Sequence, residues 1–89
     1  MRIRLEKKVE KDLTKLVRKD KKLWEQVNCK LKIFCIDPNR NSLRLHKLIG
    51  SMANLWSISI NESIRMIFYY EDENTANFVD IGKHEEVYK

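Results

Sequence analysis

With 89 residues, 43% hydrophobic and 35% charged, the chain has the composition of one folded domain over residues 1–89 and lacks that of a disordered tail. No apolar run approaches the roughly 20 residues of a membrane-spanning helix, and the first residues contain no apolar signal-peptide segment, so we expect a cytoplasmic protein without membrane contact. The formal net charge of +5 fits either solvated helix faces or a surface for a polyanion such as RNA.

The positive charge is concentrated in the first half of the chain. Residues 1–36 contain 12 Lys and Arg against 5 Asp and Glu, whereas residues 37–89 contain 6 against 8. The second half therefore has a small excess of acids, and its few Lys and Arg residues stand singly in the sequence.

The first half reads as a short strand followed by two helices. Residues 2–5 alternate polar and apolar, which indicates a strand, and residues 6–19 repeat apolar side chains with the period of an amphipathic helix. Asp20 is a suitable N-cap for a second helix with a broad apolar stripe. This helix should end before Pro38, because proline disfavours helical geometry in the residue that precedes it. The two helices are predicted to form a hairpin.

Two cysteines, Cys29 and Cys35, fall in the second predicted helix. Their spacing of six residues places them on different faces and too far apart for a disulfide. We expect two reduced thiols in the core or at its boundary, and a catalytic cysteine is the alternative.

From residue 43 onward the apolar period changes to two, which predicts strands. Residues 43–46, 56–60, 64–70 and 76–81 have this pattern, and Trp56 is predicted to belong to the core. The segment 64–70 is apolar on both faces except at Arg65, so we expect it in the middle of the sheet. Gly82 should end the last strand. The predicted fold is α+β: a strand, two helices and then three antiparallel strands, with the helices packed on one face of a twisted sheet.

Several segments of the second half resemble toxins of the RelE/ParE superfamily. They are Leu45-His46-Lys47-Leu48-Ile49-Gly50, Leu55-Trp56-Ser57-Ile58-Ser59-Ile60-Asn61, Arg65-Met66-Ile67-Phe68-Tyr69 and Asp80-Ile81-Gly82-Lys83-His84-Glu85-Glu86-Val87-Tyr88. The resemblance covers essentially the whole chain and implies a RelE-like fold: an N-terminal strand, a helical hairpin and a three-stranded antiparallel meander. The ending with His84 and Tyr88 looks like the messenger RNA endonuclease branch that includes RelE, YafQ and YoeB.

The resemblance implies the toxin of a bacterial type II toxin-antitoxin system. Such a toxin enters the ribosomal A site and cuts messenger RNA there, using the 2′-hydroxyl of the RNA as nucleophile and no metal or other cofactor. Its expected partners are a cognate acidic antitoxin, ribosomal RNA and messenger RNA, with operator DNA contacted only through the antitoxin. Two alternatives stay open: a gyrase-directed ParE-like toxin without nuclease activity, and an inactive relative that acts as an interaction partner.

By the same resemblance, Arg65 would stabilise the phosphate, and His84 and Tyr88 would form the carboxy-terminal catalytic pair. One subgroup of the family has a glutamate base near residue 44, where this chain has Ser-Leu-Arg, so His46 competes with His84 for the role of general base. Competing structural roles are an ion pair between Arg65 and an acid such as Glu62, packing of Tyr88 on the sheet edge, and a surface position for His46.

The remaining cations are candidates for RNA binding. Arg44 and Lys47 flank His46, and the helix lysines that would dock on ribosomal RNA, away from the catalytic residues, include Lys8, Lys11, Lys15 and Lys19. No Asp/Glu or His/Cys cluster has metal-ligand spacing, so the predicted chemistry is independent of metal.

Overall fold

Two helices pack on a five-stranded sheet in a computed structural model that describes residues 1–50 and 54–83. The elements in chain order are β1 (Arg2–Leu5), α1 (Lys7–Lys19), α2 (Lys21–Ile36), a 3-10 turn (Asn41–Leu43), β2 (His46–Lys47), β3 (Trp56–Ser59), β4 (Ile64–Asp72) and β5 (Thr75–Lys83). The strands lie in the order β1-β5-β4-β3-β2, and β4 is therefore central. The predicted α+β fold is confirmed.

The helical hairpin forms as predicted because its signals are local. The Asp20 carboxylate accepts a hydrogen bond of 3.1 Å from the backbone N–H of Leu23, which caps the start of α2. The apolar stripe of α1 buries Val9 and Leu13. No helix in the described part of the chain is long and apolar enough to cross a membrane.

The core lies between the helices and one face of the sheet. Phe34 of α2 is fully buried and meets two sheet residues edge to face, with ring centroids 5.0 Å from Phe68 and 5.4 Å from Phe78. Edge-to-face geometry is favourable for aromatic pairs in addition to the area that they bury. Trp56, predicted as core, is partly buried against this cluster and contacts the ring of Tyr70.

The second half departs from the predicted strands at two places. Residues 43–46 do not form one strand: Leu43 ends the 3-10 turn, Arg44 has a left-handed backbone (φ 47°, ψ 47°), and pairing begins at His46. Gly82 does not end the last strand, because it pairs with Arg65 inside β5. In addition, β1 joins the sheet parallel to β5, so the sheet is mixed and the meander has a short fourth strand.

The two cysteines lie on α2, as predicted, and neither forms a disulfide. Cys35 is partly exposed, as expected for a boundary position, whereas Cys29 is exposed, so the expected core or boundary position is wrong for Cys29.

Candidate active site

The sheet has a second face, opposite α1 and α2, which we call the outer face. Side chains alternate between the faces along a strand, and residues directly opposite each other on paired strands share a face. Because Met66 and Phe68 point into the core, their neighbours in β4 point outward. By this register the outer face carries His46, Ser57, Ser59, Arg65, Ile67, Tyr69, Asn77 and Asp80.

Arg65 occupies the central strand of the outer face. Its register partners are Ser59 on β3 and Gly82 on β5, both small. Its side chain is half-buried and its Nη1 atom is buried. The Ser59 hydroxyl donates a hydrogen bond of 2.8 Å to the backbone carbonyl of Asn61, two residues further along the chain. The planar fork of such a partly desolvated guanidinium matches the geometry of a phosphate.

His46 begins the edge strand β2 and lies opposite Ser57, so its ring belongs to the same outer face. The ring is exposed, and its Nδ1 atom lies 3.3 Å from the carbonyl oxygen of Arg44. The carbonyl can only accept, so this contact is a hydrogen bond when the ring carries a proton on Nδ1.

The sheet fixes the spacing between Arg65 and His46. They are separated by two strand spacings across the sheet and by one step of two residues along it. For regular strands this geometry gives a Cα separation of roughly 12 Å. The buried residue Ser57 lies between them, opposite both His46 and Ile67.

Hydrogen bonds connect Glu6, which lies between β1 and α1, to the outer face. The Asn77 amide is buried and donates to Glu6 Oε1 at 3.0 Å and to Tyr69 Oη at 2.9 Å. Arg4, the register partner of Asn77 on β1, forms an ion pair of 3.2 Å with Glu71. No local sequence pattern identifies these residues as a network. The alternation of Tyr69 with Phe68 indicates only that Tyr69 lies on the face opposite Phe68, and the hydrogen-bonded partners Glu6 and Asn77 are 71 residues apart.

Lys8 lies where α1 meets the outer face. Its Nζ atom is 3.0 Å from Oδ1 of Asp80, which is opposite Ile67 in the sheet. The hydrogen bond to Asp80, followed by the charge of that carboxylate, raises the pKa of Lys8. Lys8 is therefore partly neutralised within the protein, unlike an isolated surface lysine.

The structure groups only some of the residues predicted for the site. Arg65 and His46 share the outer face, and Arg44 is exposed just before β2. Lys47 is opposite Trp56, whose ring packs toward the core, so its side chain points to the other face from His46. The predicted RNA-binding lysines Lys11, Lys15 and Lys19 on α1 are exposed. The predicted catalytic residues His84 and Tyr88 lie outside the described residues.

Metal-ligating residues are not clustered in residues 1–50 and 54–83, where no group of three or more His, Cys, Asp or Glu could hold an ion. The acidic and imidazole groups of residues 84–86 are outside this range, so metal independence stays a prediction.

Comparisons with known proteins return structures of one fold. No family model and no curated protein sequence matches the chain. A YoeB–YefM toxin-antitoxin complex from Staphylococcus aureus matches with 20% identity over 94% of this chain and 97% of that chain, TM-score 0.77. A metal-bound toxin from Helicobacter pylori matches with 22% identity over 98% of both chains, TM-score 0.76. YafQ from Escherichia coli strain BL21(DE3) matches with 16% identity over 100% of both chains, TM-score 0.76. At these identities the likeness establishes the fold, and the fold implied by the resemblance is confirmed.

Proposed function

We propose that the chain is a toxin of the RelE/ParE superfamily, from a type II toxin-antitoxin system, that cuts messenger RNA on the ribosome. Three observations support this proposal. The fold is shared with YoeB and YafQ toxins over nearly the whole chain. The sequence segments that resemble the superfamily run along β2 to β5. The outer face brings Arg65 and His46 together, and this pairing of a phosphate-binding group with a proton-transfer group carries the proposal.

The proposed reaction is an internal transfer at one phosphodiester. The 2′-oxygen of the RNA attacks phosphorus and forms a new P–O bond, and the bond from phosphorus to the 5′-oxygen of the next nucleotide breaks. A base takes the proton of the 2′-hydroxyl, and an acid gives a proton to the departing 5′-oxygen. The products are a 2′,3′-cyclic phosphate and a 5′-hydroxyl. Such a reaction needs one proton acceptor, one proton donor and positive charge near the phosphate oxygens.

Arg65 supplies the positive charge. Its guanidinium is partly desolvated between the small residues Ser59 and Gly82, and a charge in such a place interacts more strongly with a phosphate than an exposed one does. Negative charge builds on the phosphate oxygens in the transition state, so a fixed cation beside them lowers the barrier.

Histidines transfer the protons, and Tyr88 orients the phosphate or stacks on a base. His46 and His84 are the candidates for base and acid, since an imidazole ring can both accept and donate a proton. His46 is on the same face as Arg65.

The basic surface formed by the lysines of α1 provides the affinity that a domain of 89 residues needs to hold a messenger strand on the ribosome. Ribosomal RNA is a dense array of phosphates, and lysines that contact it release counterions. The same surface would attract an acidic antitoxin that folds on binding.

Induction of the protein in a bacterium, followed by mapping of messenger RNA 5′ ends, tests this proposal. We expect growth arrest and new ends in phase with codons. Arg65→Ala should remove both, whereas Arg40→Ala, which removes the same charge from an exposed loop, should keep both. Arrest that persists in Arg65→Ala together with DNA damage would identify a gyrase-directed toxin. The absence of arrest from a folded, well-expressed native chain would identify an inactive relative.

A further inference from the structure

Tyr69 forms a hydrogen bond on the outer face, and the direction of that bond decides what its phenol offers a ligand. Tyr69 is partly exposed, and its Oη atom is 2.9 Å from the side-chain nitrogen of Asn77, its register partner on β5. Within residues 1–50 and 54–83, this amide is the one hydrogen-bond partner of the phenol. If the amide donates, the hydroxyl hydrogen of Tyr69 is left for another molecule.

The carboxylate of Glu6 settles the direction. The side-chain nitrogen of Asn77 is also 3.0 Å from Glu6 Oε1. An ionised carboxylate only accepts hydrogen bonds, so the nitrogen of the Asn77 amide, and not its oxygen, must face Glu6. The same nitrogen meets Tyr69, so its two hydrogens go to Glu6 and to Tyr69, and Asn77 is 6% exposed, which holds the amide in this orientation. The phenol oxygen therefore accepts, and the hydroxyl hydrogen points away from Asn77.

The charges around Tyr69 favour an uncharged group over a phosphate. Glu6 accepts from Asn77, and Glu71, two residues further along β4, belongs to the same face as Tyr69. Arg4 on β1 is opposite Asn77 and forms an ion pair of 3.2 Å with Glu71. These two carboxylates and one guanidinium leave an excess of negative charge, which repels a phosphate oxygen. A base of RNA is uncharged and can also stack on an aromatic ring.

Tyr69 shares its strand and its face with Arg65. Four residues separate the two along β4, which corresponds to roughly 14 Å between their Cα atoms in a regular strand. RNA with a phosphate at Arg65 therefore brings a base near the cut, and not the cut linkage itself, to Tyr69.

We propose that Tyr69 is a specificity-determining residue, whose hydroxyl donates a hydrogen bond to a carbonyl oxygen on a base close to the cut. The inference rests on the proposed function. Guanine and uracil carry a carbonyl oxygen where adenine and cytosine carry an amino group. A phenol whose oxygen already accepts from Asn77 can only donate, so it pairs with the carbonyl and leaves the amino group unpaired. One partly exposed hydrogen bond shifts such an equilibrium by about fivefold.

Two variants remove this donor in different ways. Tyr69→Phe keeps the ring and deletes the hydroxyl. The double variant of Glu6→Gln and Asn77→Asp exchanges the amide and the carboxylate and keeps the net charge. Its new carboxylate at position 77 can only accept, so the Tyr69 hydroxyl donates to it and presents its oxygen to RNA. Tyr70→Phe is the matched control, because it removes a hydroxyl from the next residue, whose ring packs toward the core.

Cleavage in purified ribosome complexes tests the preference, with messengers that differ only by uracil or cytosine at one position in or beside the cut codon. At one such position, kcat/KM of the native chain for uracil should exceed that for cytosine by about fivefold. Tyr69→Phe should abolish this preference, the double variant should abolish or reverse it, and Tyr70→Phe should keep it. An unchanged preference in folded Tyr69→Phe would overturn the proposal even if the double variant failed to fold, and so would a native chain without any preference.

Binding of RNA that cannot be cut separates the base contact from the proposed function. The full chain with labelled tyrosine rings is titrated with 2′-O-methyl oligouridylate and oligocytidylate, which lack the attacking hydroxyl, and Tyr69→Phe identifies the Tyr69 signals in the magnetic resonance spectrum. These signals should shift at concentrations of oligouridylate about fivefold lower than those of oligocytidylate. If the native chain shows this response but cuts no messenger RNA, the proposed function fails and the base contact stands. If it cuts messenger RNA but the Tyr69 signals respond equally to both oligomers, the base contact fails and the proposed function stands.

Discussion

The stripe of lysines along α1 allows a quantitative test of how the protein docks on RNA. Lys8, Lys11, Lys15 and Lys19 are spaced by three or four residues, so they share one side of the helix, and all four are exposed. If they contact ribosomal RNA phosphates, their replacement by glutamine weakens ribosome binding and flattens its salt dependence. The effect on the slope depends on how many of the four charges are available to RNA.

The ion pair of Lys8 lowers the expected change. A phosphate contact contributes about 0.7 units to the slope of log affinity against log salt on single strands and about 0.9 on duplex. Lys8 is 3.0 Å from the Asp80 carboxylate, so its charge is already partly balanced before RNA binds. The quadruple variant should therefore lower the slope by roughly 2 to 3 units, the contribution of three contacts.

Ribosome binding measured between about 50 and 200 mM salt gives this slope. Lys11→Gln should change it more than Lys8→Gln does, and Lys32→Gln, on the exposed side of α2, is the matched control. Once the quadruple variant is bound to the ribosome, the rate at which it cuts messenger RNA should barely change. Conversely, His84→Ala combined with Tyr88→Phe should abolish most cleavage and keep the slope.

Two results would refute this reasoning. If Lys8→Gln and Lys11→Gln change the slope equally, the pair with Asp80 does not withhold Lys8 from RNA. The second result is an equal loss in the quadruple lysine variant and in the variant of His84 and Tyr88, both of ribosome affinity and of the cutting rate once bound. Docking and chemistry would then share one surface.

Three further predictions concern cofactors, stability and pH. Cleavage should continue in excess chelator once ribosome integrity is controlled for, and activity that is lost on chelation and restored by one particular ion would contradict the mechanism. Phe34→Ala should lower the free energy of unfolding by about 3 to 5 kcal/mol, measured with urea, whereas Val17→Ala on the half-exposed side of α1 should cost less than about 1 kcal/mol. Burial raises the pKa of the Tyr70 phenol above its ordinary value of 10.0, so its contribution to stability is fully present below pH 10.0 and is lost as pH rises through the folded-state pKa. Tyr70→Phe should remove this part of the alkaline decline, and identical alkaline unfolding curves for the two proteins would contradict the assignment.

The helical hairpin could be predicted from sequence because its determinants are local. The apolar period of α1 and the capping carboxylate of Asp20 act within a few residues, and the structure places both where they were expected. The face of Arg65 could not be read from the sequence, because residues 64–70 are apolar on both faces and Ile67 is buried like Met66 and Phe68.

Features that depend on contacts far apart in sequence could not be predicted in this way. The alternation of residues 43–46 suggested a strand, but the burial of Leu43 and the turn at Arg44 override it. Gly82 was read as a strand end, yet pairing with Arg65 in β4 continues the strand through it. The register that brings His46 onto the face of Arg65 is set by the two paired residues of β2, and no periodic pattern encodes it.

The most direct test of the central claim, that the outer face cuts RNA, is single-turnover cleavage of a ribosome-bound messenger by the purified protein. The native chain should produce a 2′,3′-cyclic phosphate and a 5′-hydroxyl. Arg65→Ala should lower the rate by roughly 10² or more, the scale of losing one group that stabilises transition-state charge. Arg40→Ala should keep the native rate. An unchanged rate in a folded Arg65→Ala protein would remove Arg65 from the site and contradict the assignment of this face as the catalytic one.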